Sequence, residues 1–372
     1  MLRKSNSSLK NKNIVATAID LINASRNYVV KQTNSVMVFT YFQLGKLIIE
    51  NEQAGKIKAA YGKQTIILLS KRLTAKFGKG FSERNLEQMR SFYLAFSTKQ
   101  NQLPIPQPVA AKFKSIQKPQ PVAAESSLLK ATTSHARKSF ADVFPLSWSH
   151  YIILSRISNE HERSFYEIES IQGNWGKREL QRQINSGLFE RIALSKNKKK
   201  VKQLATKGQL IDKPEDVLKS SYVLEFLGLD EKAEYSETDL ESAIINRIEH
   251  FLLEMGKGFL FQGRQVRFSF DEDDFYVDLV LYNRLLQCFV LVDLKIGKLK
   301  HQDLGQMQMY VNYYDRFVKT VSEKATIGII ICKDKSDAMV EITLPKNNKA
   351  IFAKQYKLYL PSKTELKKVV EG

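Results

Sequence analysis

Two cysteines and five histidines in 372 residues leave this chain little with which to build a disulfide framework or a soft-metal site. Cys288 and Cys332 both fall in apolar, strand-like runs and are expected as reduced core thiols, and the histidines are scattered, which argues against structural zinc. No apolar stretch is long enough to span a bilayer, and the polar start Met-Leu-Arg-Lys-Ser-Asn-Ser-Ser does not read as a signal peptide. The expectation is a soluble, cytoplasmic protein with no membrane partner. A Gly-x-Gly-x-x-Gly after a first strand is also missing, so a doubly wound dinucleotide fold is not expected. Acidic residues are in deficit, 39 against 58 Lys and Arg, for a net charge of +19. Such a surplus favours polyanions, chiefly nucleic acid, through phosphate contacts and counterion release.

The length suggests two or three domains. Residues 13–195 read as a helical domain, interrupted at 100–138 by a Pro/Ala-rich linker in which Pro-Gln-Pro-Val-Ala-Ala occurs at 106–111 and again at 119–124. Residues 196–235 form a basic connector opening on Lys196-Asn-Lys-Lys-Lys-Val-Lys202, and 236–362 a third region. Thr65–Phe77, the turn Gly78-Lys-Gly80, and Ser82–Phe96 with Ser82 as N-cap resemble a helix-turn-helix, which would offer Arg84, Gln88 and Arg90 to a major groove; a plain helical hairpin with solvated charges is the competing reading. The helix Gly176–Arg191, with Arg178 and Arg182, is open to phosphate contact or to a subunit interface, hence to a homo-oligomer.

In the third region, apolar residues at helical spacing predict a helix from Asp239 to Met255. Glu241 lies on its apolar stripe, either as a functional carboxylate or as the partner of Thr238 in a capping box, whereas Glu249 and Glu254 read as solvated. The acidic quartet Asp271–Asp274 lacks the spacing of a calcium loop and reads as a hairpin turn. Two apolar strands follow, Phe275–Tyr282 and Gln287–Ile296, joined at Asn283-Arg284. They carry Asp278 in the first and Asp293 and Lys295 in the second, and alternation puts Phe289, Leu291, Asp293 and Lys295 on one face. Charges at the end of such a run are costly unless they pair or hold a metal. A helix over 302–318, a buried strand over 326–332, a short helix near 336–341 and a last strand over 350–360 complete an α/β sandwich around a mixed sheet.

Asp278, Asp293-Leu-Lys295 and Gln306-x-x-x-Tyr310 resemble the PD-(D/E)XK nuclease superfamily and its restriction-endonuclease-like fold, with Val277 where the name has proline and Gln308 as the alternative to Gln306. A wider likeness runs through Tyr61-Gly62, Phe77-Gly-Lys-Gly-Phe-Ser82, Leu146-Ser-Trp-Ser-His-Tyr151, Trp175, Arg178-Glu-Leu180 and Gly263-Arg-Gln265, and is similar to the YhcG-type bacterial family, a helical domain followed by a PD-(D/E)XK domain. The resemblance implies hydrolysis of phosphodiester bonds, in DNA first and RNA otherwise, with Mg²⁺ or Mn²⁺. Asp278, Asp293 and Glu241 would be metal ligands, Lys295 would orient water or stabilise charge on phosphate, and Gln306 and Tyr310 would position them. Arg84, Arg90, Arg178, Arg182 and Lys298 would contact nucleic acid. A non-catalytic nucleic-acid-binding or assembly protein on the same scaffold is the alternative.

Overall fold

The computed structural model describes residues 4–54, 59–102, 140–193, 198–229, 234–270 and 272–361. The expected linker, from 103 onward, and the start of the lysine run at 196–197 lie outside the described residues. The chain divides into two compact units, Met1–Arg163 and Ser164–Gly372.

The first unit is helical. Helices α1 (Lys4–Ala54), α2 (Ala59–Phe77) and α3 (Glu83–Phe96) are followed by α4 (Phe140–Val143) and α5 (Trp148–Leu154). Between α2 and α3 the chain reverses at Gly78 and Gly80, whose φ of 81° and 118° suits glycine alone at no steric cost. Ser82 then accepts a hydrogen bond from the Asn85 N–H at 3.3 Å and starts α3. Leu86, Met89, Phe92 and Phe96 recur at helical spacing and are buried. Leu86 and Met89 pack with Ile48 of α1 and Ile66 of α2, and Phe92 meets Phe42 edge-on with ring centroids 5.6 Å apart.

The second unit holds a six-stranded mixed sheet. Helix α6 (Glu160–Gln172) leads to α7 (Lys177–Asn185), α8 (Leu188–Ala193) and α9 (Lys198–Lys207). Then come β1 (Ser221–Val223), α10 (Glu237–Asn246), α11 (Ile248–Met255), β2 (Phe259–Phe270), β3 (Asp273–Asn283), β4 (Cys288–Lys298), α12 (His301–Tyr313), β5 (Ile327–Asp334), α13 (Asp337–Thr343) and β6 (Ile351–Lys357). The strand order is β1-β6-β5-β4-β3-β2; β2, β3 and β4 form an antiparallel meander, while β4, β5, β6 and β1 run parallel. Alternation sorts the side chains into two cores. Leu281, Val290, Val292, Leu294 and Ile329 pack with Leu240, Ile244, Phe251 and Met255 of α10 and α11. On the other face Val280, Leu291, Ile330 and Cys332 pack with Leu304, Met307 and Val311 of α12. β5, apolar throughout its buried length, is covered on both faces, as parallel strands usually are.

Four expectations change. The helix expected over Gly176–Arg191 is two, α7 and α8, with Gly187 (φ 64°) between them. The helix expected over 239–255 is two helices, broken at Arg247 (φ −125°, ψ 31°). The capping box is Ser236 with Asp239, not Thr238 with Glu241: the Ser236 N–H donates to Asp239 Oδ2 at 2.8 Å, and Ser236 Oγ accepts from the Asp239 N–H at 3.1 Å. Glu254 is fully buried rather than solvated, because α11 presents it on the same side as Phe251 and Met255. Among the described residues no helix is long and apolar enough to cross a membrane.

Candidate active site

The site forms where β3 and β4 part. The two strands pair from Asn283/Cys288 to Leu279/Val292, and the ladder stops there. Asp278 and Asp293 come next in register. Beyond the split, the Leu294 N–H donates at 2.8 Å to Asp278 Oδ2, so a carboxylate takes the place of a strand carbonyl. The pleat also slips at this point: Val277 and Leu279, two residues apart, sit in opposite cores. This irregularity keeps Asp278 beside β4 instead of burying it in a helix-covered face.

Asp293 is 3% exposed, and its Oδ2 accepts no hydrogen bond. Lys295 Nζ lies 3.1 Å from that oxygen as an ion pair. Burial first, and then the charge of Asp278, push the Asp293 carboxyl up to about 7 against the pull of Lys295. For Lys295, burial works to lower the ammonium, but Asp293 beside it and Glu237, at 3.5 Å, hold it above its ordinary value. Lys295 is therefore held as a cation beside Asp293. Glu241, buried on α10, is raised by burial, with Gln265 opposing and Asp278 adding to the rise.

Gln265 was not singled out for the site by the sequence, yet its amide links two of these carboxylates. Its Nε2 donates to Glu241 Oε2 at 2.7 Å and to Asp278 Oδ1 at 3.0 Å. Gln306 and Tyr310 stand one helical turn apart on α12, with the Gln306 amide donating to the Tyr310 hydroxyl. That hydroxyl in turn donates to the Tyr276 carbonyl at 3.0 Å, two residues before Asp278. Gln308 faces elsewhere, bonded to Asn312 at 3.2 Å. Tyr310 thus braces β3 at the site. Tyr310→Phe leaves a backbone carbonyl short of its donor and is expected to cost about 1–2 kcal/mol, with cleavage reduced less than by loss of a carboxylate. Thermal melting and single-turnover cleavage check it; an unchanged melting temperature would remove the bracing role.

The basic residues are dispersed. Arg84, Arg178 and Lys298 are exposed. Arg90 is half-buried and holds both oxygens of Glu52, at 2.9 and 3.0 Å. Arg182 is turned inward: its Nε donates to Glu225 at 2.9 Å and its Nη2 to the Val223 carbonyl at 3.1 Å, so its guanidinium is committed to the fold.

The donor set is all oxygen, which suits a hard divalent cation. Among the described residues no three His, Cys, Asp or Glu side chains converge closely enough to cage an ion. Asp278 and Asp293 nevertheless fit one: the two carboxylates meet at the strand split, and the buried Oδ2 of Asp293 has the Lys295 ammonium 3.1 Å away and no hydrogen-bond donor from the backbone.

Residues 215–371 match the family model of the YhcG PDDEXK nuclease domain, and residues 17–191 that of the DUF1016 N-terminal domain. The chain is 38% identical over 348 residues to "Putative nuclease YhcG" of Escherichia coli (strain K12), across 94% of this chain and 90% of that protein. Two solved structures align over about half their own length. A repair endonuclease from Pyrococcus abyssi does so at 17% identity, covering 35% of this chain and 50% of its own, with a TM-score of 0.23. A structure described as an EndoMS–dsDNA2 complex does so at 14% identity, covering 36% and 51%, with a TM-score of 0.25. With near full-length similarity to one relative and both domains matched in order, the chain belongs to the YhcG family, a DUF1016 N-terminal domain followed by a PD-(D/E)XK nuclease domain.

Proposed function

We propose that this nuclease hydrolyses phosphodiester bonds of DNA with Mg²⁺, or Mn²⁺ in its place. The observation that carries the reading is the meeting of Asp278 and Asp293 at the β3–β4 split, with the Lys295 ammonium 3.1 Å from the Asp293 carboxylate. Asp278 and Asp293 would hold the cation, with Glu241 joining from α10. When bound, the cation supplies Lewis acidity to the scissile phosphate and lowers the pKa of an attacking water. Lys295 places a fixed positive charge where the phosphate gains negative charge. Gln306 and Tyr310 hold β3, and so Asp278, in place. The similarity to a nuclease of Escherichia coli and the net charge of +19 both support a nucleic-acid substrate. Arg84, Arg178 and Lys298, exposed and basic, are the residues proposed to meet phosphates.

Purified protein incubated with linear, circular, branched and single-stranded DNA and with RNA, each with Mg²⁺, Mn²⁺ or EDTA, tests the reading. Metal-dependent cutting of DNA is expected. Cutting that persists in EDTA would refute the metal role, and cutting of RNA alone would redirect the substrate. DNA binding is expected to survive EDTA but to weaken steeply with salt, by roughly 10³-fold or more between 50 and 200 mM if six or more phosphates are contacted. Binding that ignores salt over that range would argue against phosphate contacts.

A further inference from the structure

We infer that Gln265 is an oxygen ligand of the metal site: its side-chain amide lies against Glu241 and Asp278, and half a turn of its last torsion would give its carbonyl oxygen to a cation held there. The inference rests on the metal-dependent reading above and adds a residue to it.

Three observations carry it. The first is backbone conformation. Gln265 has φ 45°, in the left-handed region that a long side chain rarely adopts, in the middle of a twelve-residue strand. Its neighbours are in the β2–β3 ladder, Arg264 opposite Leu279 and Val266 opposite Val277, while Gln265 and Asp278 between them are not paired. A local departure of this kind re-aims a side chain, and such strain persists where the surroundings hold it. Here it is aimed at the two carboxylates.

The second observation is the direction of the amide. Ionised carboxylates only accept, so the NH₂ group must face Glu241 and Asp278, one N–H to each, at 2.7 and 3.0 Å. The amide therefore offers positive hydrogens where two negative groups meet. Among the described residues no donor reaches its Oε1. A cation entering the same place would repel those hydrogens. The last torsion of glutamine is soft and roughly two-fold, so half a turn exchanges Nε2 for Oε1 without moving the backbone.

The third is the donor count. A hard cation takes six or more oxygens, whereas no three carboxylates of the described residues converge closely enough to cage one. The amide whose nitrogen already touches two of the candidate ligands would, once turned, supply a further oxygen without adding a like charge.

The test is Mn²⁺ binding by the full chain without nucleic acid, measured by titration calorimetry, together with melting temperatures in EDTA. Gln265→Gly removes the side chain and accepts the positive φ without strain, so the fold should persist. If Gln265 is a ligand, Gln265→Gly weakens Mn²⁺ binding tenfold or more. Gln265→Glu tightens it by a similar factor while lowering the melting temperature in EDTA, where a third carboxylate joins the pair. Unchanged or tighter binding by Gln265→Gly overturns the ligand role. Should the wild-type protein show no saturable Mn²⁺ binding, or Asp293→Asn bind it as the wild type does, the metal reading itself fails and this inference with it. The Asp293→Asn control therefore separates the two failures.

Discussion

Asp293→Asn is expected to abolish metal-dependent cleavage, by about 10²–10³-fold or more, while the protein folds and binds DNA as before. The substitution nearly preserves shape and removes a charge that is both buried and next to a second carboxylate. In metal-free buffer it should also raise the melting temperature. The sign follows from the carboxyl of Asp293, lifted by burial and by Asp278 to about 7 in the folded protein. A group whose folded pKa lies above its unfolded value contributes stability below the unfolded value and loses it as pH rises through the folded one. At pH 8 the wild type must ionise this acid against burial, and the Asn variant need not. The gap between variant and wild type should therefore shrink as the pH falls from about 7 towards about 4, the ordinary carboxylate range. Lys295→Ala separates the alternatives. It should also stop cleavage, but it leaves Asp293, Asp278 and Glu237 without their shared cation and should destabilise the metal-free protein. Full nuclease activity in a stable Asp293→Asn protein would remove the proposed site.

The charges of this site were legible because they interrupt a pattern. Along β4 an apolar alternation ends in Asp293 and Lys295, and on β3 Asp278 breaks a run of Val, Leu and Tyr; local sequence is enough to flag both. The Gln306–Tyr310 pair was legible only through the likeness of Gln306-x-x-x-Tyr310 to the PD-(D/E)XK nucleases. Gln265 was not, since an exposed glutamine between Arg264 and Val266 has no periodic signature. Its distinguishing mark is a backbone angle. Strands β2 to β6 and their covering helices followed from the pattern, but β1, in the stretch read as a basic connector, did not, and neither did the burial of Glu254. Glu254 stands one turn after Phe251, on the buried side of the stripe, so spacing pointed it inward and only its charge spoke for solvent. The partners that make this burial tolerable lie 63 and 35 residues away along the chain, at Arg191 and Lys219, beyond the reach of any local pattern.

Those partners set the second large effect. Glu254 is 0% exposed, and Arg191 and Lys219 are each 1% exposed. Arg191 Nη1 donates to Glu254 Oε1 at 2.5 Å, Arg182 Nη2 to Oε2 at 3.3 Å, and the Val223 N–H to Oε1 at 3.0 Å. Lys219 Nζ lies 3.6 Å from Oε1 and donates to the Glu254 carbonyl. Burial alone would raise the Glu254 carboxyl, but Arg191, Lys219 and Arg182 together hold it down to about 2, while burial lowers Lys219 to about 7. One carboxylate thus joins α7, α8 and α11 to the edge strand β1. Glu254→Gln keeps the shape and removes the charge, leaving a buried guanidinium without its counter-ion. A broken buried pair costs about 3–5 kcal/mol. At about 2–4 °C per kcal/mol for a domain of this size, the melting temperature should fall by roughly 6–20 °C. Glu225→Gln is the control: its side chain is 18% exposed and shares only Arg182, so a loss of about 1 kcal/mol or less is expected. Cleavage per folded molecule should be retained in both variants, since neither residue belongs to the proposed metal site. A Glu254→Gln protein that melts within a degree or two of wild type would show that the cluster rearranges around the missing charge, and that these helices are held to the sheet by apolar packing instead.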